Sequence, residues 1–334
     1  MADLLNLQTD TVRQHTVPRF LLEHFAAPGK GKHPKLYAFD KHNERSFVSN
    51  TVNATVRNTF YNIDDHPERL SLEPLLGIYE TEAAPVIAGL LQHRNICRLT
   101  PDDRYKLAVF VAVQRARTFG EQQRIEDMIS AIAEKVAATG ATPEQIKEAL
   151  GLSPERESRN VFLEQLAQQV SHIGHLLNKD WYVFESTPEH PFYVSDNPVI
   201  LHNDNDFGPY GNLGLAVPGI QIYLPLSSTL TLGMLCPSHR EQKISRKRDL
   251  QRRMAFAPLT LPPGINASRL IADASAFINF ETIRSAPDQV MWQNSQQVRF
   301  SEQYVFCEKD DFALVRKMIA DNPGFKTGMR FTIG

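Results

Sequence analysis

The sequence predicts an α+β fold: a helical middle packed against an antiparallel or mixed β-sheet. Three observations carry that reading. Residues 67–178 repeat apolar side chains at helical spacing, with Thr-Pro and Ser-Pro helix starts. Residues 181–308 carry short aromatic and β-branched runs bounded by Pro, Gly and Asn, which suit strands. Residues 35–49 alternate about a polar turn, so an N-terminal hairpin joins the strands of the C-terminal half in the sheet. The whole chain, 1–334, is read as a single unit without internal repeats.

In order, Pro18 suits the first turn of a helix whose apolar face is Phe20, Leu21, Leu22 and Phe25. Lys35–Asp40 and Arg45–Ser49 form the hairpin, and Val52–Phe60 adds an extended piece. A helix from Pro67 to about Gln92 is interrupted or kinked by Pro74 and Pro85. Thr100-Pro101-Asp102-Asp103 starts a helix that runs to Lys135 or beyond, because Thr caps and Pro fits the first turn. Thr142-Pro143 opens a short helix ending near Gly151, and Ser153-Pro154 opens another to about Asn178. Strands follow at 181–185, 192–195, 199–201, 221–226 and 229–235, with a long loop over 202–219. Residues 266–291 return to helix; Tyr304–Glu308 is a last strand and Asp310–Ile319 a last helix.

Hydrophobic residues make up 42% and charged residues 22%, enough apolar material for a sizeable core. The net charge of −2 supplies no overall field toward nucleic acid or membrane. The cysteines Cys97, Cys236 and Cys307 are scattered and form no CxxC pair, which argues against a zinc knuckle or a disulfide framework and suits a cytoplasmic protein. The start Met-Ala-Asp-Leu-Leu lacks a signal-peptide pattern, and no apolar run approaches the roughly eighteen residues of a membrane span. Dinucleotide, P-loop, HExxH and GxSxG patterns are missing from the sequence.

The run Gln14-His15-Thr16-Val17-Pro18-Arg19-Phe20-Leu21-Leu22-Glu23-His24-Phe25 resembles the opening motif of the domain-of-unknown-function 4238 family. Later pieces match in the same order: Leu36–Lys41, the Glu80 helix ending Ala83-Ala-Pro-Val-Ile87, Gln114–Thr118, Phe192–Val199 with its Ser195-Asp196-Asn197-Pro198-Val199 turn, and Asn279 with Ala286. The resemblance spans roughly residues 13–308 and implies one continuous unit. It points to these polar residues as site candidates and implies no activity.

The candidates follow from residue chemistry at those positions. His15 is a general base or metal ligand, or a histidine closing the N-terminal turn through a backbone carbonyl. Gln14 is its neighbour; on an extended piece the two face opposite ways, and on a helix start they splay. Gln114, Arg117, Thr118 and Glu121 share one helical face, with Arg117 set to grip a phosphate or to pair with Glu80 or Glu82. Asp196 and Asn197 end a strand, where they cap a turn or serve a site. Asp196 and Glu80 are the metal candidates, for a divalent ion such as Mg or Mn. Gln114, Asn197 and Asn279 are the binding candidates. The expected function is a phosphoester hydrolase, nuclease-like or phosphodiesterase-like, with His15, Gln14, Arg117 and Asp196 catalytic. The alternative is a non-enzymatic module for a small anion, nucleotide or nucleic acid. Residues 240–253, rich in Arg and Lys, are a solvated basic helix or a phosphate contact.

Overall fold

A computed structural model describes residues 6–29, 34–63, 69–140, 142, 144–145, 154–208, 211–256 and 266–330. Most of the short helix expected after Thr142, together with Pro67 and Ser153, lies outside these residues. A short helix α1 (Arg19–Glu23) follows Pro18 and buries Leu21 and Leu22. Helix α2 (Glu73–His93) takes Pro74 in its first turn and runs on past Pro85. Helix α3 (Pro101–Ala116) opens with a full capping box, in which the Thr100 hydroxyl accepts from the Asp103 amide and the Asp103 carboxylate accepts from the Thr100 amide.

The long helix expected from Thr100 is two helices. Helix α3 stops at Ala116, and α4 (Phe119–Ala138) begins afresh. Thr118 is extended and its hydroxyl accepts from the Glu121 amide, so this residue caps α4. Gln114, Arg117, Thr118 and Glu121 therefore straddle a break and do not form one helical stripe. Helices α5 (Pro154–Gln168) and α6 (Ile173–Leu177) complete the helical middle.

Strand β1 (Arg13–His15) pairs antiparallel with β4 (Val56–Asn58), and this small ribbon ties the opening motif to the segment after the hairpin. The hairpin β2 (Lys35–Asp40) and β3 (Arg45–Asn50) forms as expected. It joins β11 (Tyr304–Cys307) and β6 (Val194–Ser195) in a four-stranded antiparallel sheet, order β3-β2-β11-β6. A second sheet has the order β10-β5-β9-β8-β7, with β5 (Asp180–Glu185), β7 (Ile200–His202), β8 (Gln221–Ser227), β9 (Leu230–Leu235) and β10 (Ile283–Arg284). Strands β5, β8 and β9 are buried nearly throughout, and β10 runs parallel to β5, so this sheet is mixed. The α+β class is correct, with strands in separate sheets.

One apolar cluster joins Val17, Leu21, Leu22 and Phe25 to Ile87 and Leu90 of α2, Leu107 and Phe110 of α3, and Leu224 and Leu232 of the five-stranded sheet. The opening motif is thus packed by its apolar residues onto helices and sheet at once. The basic stretch becomes α7 (Pro237–Phe256). The expected helix over 266–291 is broken: α8 (Ala267–Ile278) ends where Phe280 takes a φ of 57°, β10 follows, and α9 (Pro287–Phe300) starts at a proline. Helix α10 (Ala313–Asp321) packs Val315 and Ile319 against Phe39 and Phe312.

Candidate functional site

The opening motif holds two buried polar side chains in place. Gln14 is fully buried on β1. Its amide donates to the Thr11 carbonyl, Asn62 Oδ1 and Ser71 Oγ, and its Oε1 accepts from the Tyr61 amide at 2.7 Å. Every polar atom of Gln14 is therefore engaged, and it ties β1 to the chain before α2. His15 faces the other way, as the strand alternation requires. Its buried Nε2 has no hydrogen-bond partner among the described residues, and burial lowers its pKa, against the backbone of Val52 and Thr51 and the Glu80 charge, which favour the imidazolium.

Arg117 meets His15 through the backbone. Its guanidinium donates to the His15 carbonyl at 2.8 Å, to Glu80 Oε1 at 2.6 Å and to the Tyr61 hydroxyl at 3.2 Å. Tyr61 in turn donates to the Arg117 carbonyl at 2.8 Å. The pairing with Glu80 anticipated from sequence is the one that forms, and it uses the guanidinium that a phosphate would need. Gln114 donates to the Thr16 carbonyl at 3.0 Å, while its buried Oε1 has no hydrogen-bond partner among the described residues. Gln14, Gln114, Arg117 and Glu80 together fasten the opening motif to the helices.

Asp196 stands elsewhere. Its carboxylate accepts the amides of Glu302, Gln303 and Tyr304 at 2.7–2.8 Å, which sets the start of β11. Burial raises its pKa, opposed by those amides and by the Lys41 charge. Lys41 is also buried; its ammonium donates to the Val298 and Ser301 carbonyls, and burial lowers its pKa to about 8. Asn197 accepts from the Thr118 hydroxyl and donates to the Phe300 carbonyl, which joins the α4 cap to the end of α9. Asn279 caps α8 and donates to Glu281 on the surface.

No cluster of three or more His, Cys, Asp or Glu side chains arranged for a metal occurs among the described residues. Glu80 is committed to Arg117 and Asp196 to three amides, so the donor set expected for Mg or Mn does not fit these two carboxylates. The expected convergence of His15, Arg117 and Asp196 on open space gives way to two separate hydrogen-bonded knots.

Between those knots lies a cleft of about 490 Å³. Thr16 of the opening motif and Asp196 of the turn both line it, so the two sequence motifs meet at a cavity after all. Phe47 and Ser49 of β3 and Tyr304 of β11 form one side; Asn53, Thr55 and Arg57 form the other. Arg57 was not a sequence candidate. Its guanidinium lies flat on the Phe119 ring, 3.2 Å from the centroid, and no hydrogen bond or ion pair engages it among the described residues. Burial lowers the Arg57 pKa, with Asp196, Tyr304 and Glu302 acting against that. Thr55 takes a φ of 59°, a strained conformation for a β-branched residue. It is held there because the Thr16 amide and hydroxyl both donate to its carbonyl and its own hydroxyl donates to the Val17 carbonyl.

The family model of a protein of unknown function, DUF4238, matches residues 13–311. The chain belongs to the DUF4238 family. That span begins at β1 and takes in every residue of the cleft, so cleft and knots are both parts of the DUF4238 unit. No curated protein and no solved structure matches the chain. Among the described residues, no helix is long and apolar enough to cross a membrane. The basic helix α7 spends Arg240 on Asp180 and Arg253 on Asp249, so part of its charge is neutralised within the protein.

Proposed function

We propose that the chain is a binding module for a small phosphate-bearing ligand of nucleotide size, held in the cleft between the hairpin sheet and the Asn53–Arg57 segment. One observation carries this reading: the Arg57 guanidinium stands in a cleft of about 490 Å³ with no acceptor among the described residues. A planar cation with free donors is suited to a phosphate, and the aromatic pair Phe47 and Tyr304 gives the cleft an apolar wall for a base. The strained Thr55 beside it supports a working role for the same wall. Titration calorimetry with AMP and with inorganic phosphate tests it. Arg57→Gln should weaken AMP binding about tenfold or more, since a charge-assisted hydrogen bond contributes roughly 1.5–3 kcal/mol. AMP binding of equal strength in wild type and Arg57→Gln would end the proposal.

Phosphodiester hydrolysis is the second reading, favoured by Asp196, whose carboxyl group lines the same cleft as the Arg57 guanidinium. Turnover of bis(4-nitrophenyl) phosphate by the wild type, lowered in both Arg57→Gln and Asp196→Asn, is its expected signature. Turnover that survives in both variants would sink it.

A further inference from the structure

A second cavity, of about 450 Å³, opens on the other side of the protein, between the five-stranded sheet and helices α7, α8 and α9. Its polar wall is a fixed chain of hydrogen bonds. The Tyr223 hydroxyl donates to Gln221 Oε1 at 2.7 Å, the Gln221 amide donates to Asp204 Oδ2 at 2.8 Å, and Asp204 Oδ1 lies 2.9 Å from His202 Nε2. Each group here is oriented by the next, so the wall is set before a ligand arrives. Its apolar wall is aromatic: Trp292 stands edge-on to Tyr223 and to His202, with centroids 5.7 and 5.0 Å apart, and Phe277 and Phe184 lie beyond. These rings pack against one another and give the cavity an aromatic, apolar wall against which a ligand ring can lie.

Two polar atoms in this cavity, Gln293 Oε1 and Lys243 Nζ, have no hydrogen-bond or ion-pair partner among the described residues. Gln293 is 5% exposed and lines the cavity, yet its Oε1 accepts no hydrogen bond among the described residues. A buried acceptor left open costs free energy until a donor meets it. Lys243 reaches the same space; its ammonium lies 4.9 Å from the Phe277 centroid and pairs with no carboxylate among the described residues. Asp204 and Asp288 also line the cavity, so a doubly charged phosphate monoester meets about twice the repulsion that a single carboxylate does.

We propose that this cavity is a binding site for a planar heteroaromatic monocarboxylate, its ring N–H donating to Gln293 and its carboxylate received by Lys243. Orotate, with both groups, and benzoate, which lacks the N–H, serve as probes in titration calorimetry. Orotate should bind the wild type, and Lys243→Met should weaken it about tenfold or more through loss of the charged donor. Gln293→Leu should weaken orotate and leave benzoate unchanged. Lys243 is half-buried while Gln293 is 5% exposed, so the Lys243 variant reports even if Gln293→Leu folds poorly. Failure of both probes to bind wild type up to about 5 mM, roughly −3 kcal/mol of binding, overturns the proposal. So does equal orotate affinity in Lys243→Met. Arg57→Gln should bind orotate like the wild type; loss there, with Lys243→Met unaffected, would place the probe in the other cleft and refute the assignment.

Discussion

Arg117→Met tests whether the guanidinium at the centre of the helical knot serves stability or a ligand. Arg117 is 1% exposed, while its partner Glu80 keeps 26% of its side-chain surface in contact with solvent. Breaking a buried ion pair by removing one partner costs about 3–5 kcal/mol, because the other charge is left uncompensated. The partial exposure of Glu80 moves the expected value to the lower end of that range. Loss of the hydrogen bond to the His15 carbonyl adds about 1–2 kcal/mol. Tyr61 adds little, since its hydroxyl keeps the backbone carbonyl of residue 117. The expected loss is therefore about 3–5 kcal/mol, read by urea denaturation with far-UV circular dichroism, with the slope unchanged. Glu80→Gln should cost about 2–4 kcal/mol: the amide still accepts a hydrogen bond, but the buried guanidinium loses its counter-charge. The double variant should show a coupling of about 1–3 kcal/mol. If Arg117→Met unfolds within about 1 kcal/mol of wild type, the guanidinium is not a structural group and the assignment of the knot is wrong.

Acid should weaken the protein through its buried imidazoles. Burial holds His15 and His24 below their ordinary value of 6.5, so the unfolded chain takes up protons first as pH falls. Their contribution is whole above about 6.5 and is lost as pH drops through the lower folded values; a His15→Gln variant should show a flatter decline in urea stability between about pH 6.5 and 5, and an unchanged slope would contradict it. On the sheet, a Cβ added at Gly233 would stand 2.5 Å from the Phe184 ring and 3.4 Å from Tyr223. Gly233→Ala should therefore destabilise by about 1–3 kcal/mol in the same denaturation assay, and a neutral result would mean that the two rings can move freely.

Local signals are legible in the sequence. Thr100-Pro101-Asp102-Asp103 marks a helix start because the cap bonds close within four residues, and the alternation of 35–49 marks the hairpin because each strand shows one face to the core. The break at Thr118 was missed although Thr118 and Glu121 stand at capping spacing, since apolar periodicity continues across it and no Gly or Pro precedes it. The break at Phe280 has no sequence mark either, because a left-handed aromatic residue is set by tertiary packing on Tyr182. Within the candidate site, sequence could name Asp196, and Arg117 with Glu80 as one of two candidate partners, but not the partners of Asp196. The three amides that claim Asp196 come from over a hundred residues away. Arg57 was silent for the same reason: a lone arginine in a short extended run says nothing until Phe119 is laid against it.

The cage around Lys41 also bears on how the chain is made. Lys41 and the Val298 carbonyl that it grips are 257 residues apart, and β2 takes β11 as a sheet neighbour across a similar span. At roughly 5–20 residues per second, a ribosome needs about 13–50 s to supply that partner. Throughout that interval the hairpin waits with one edge of β2 unpaired, an edge open to other chains. The slow step of biogenesis is then arrival of the last strand, and a chaperone that shields residues 35–50 during synthesis should raise the yield of native protein.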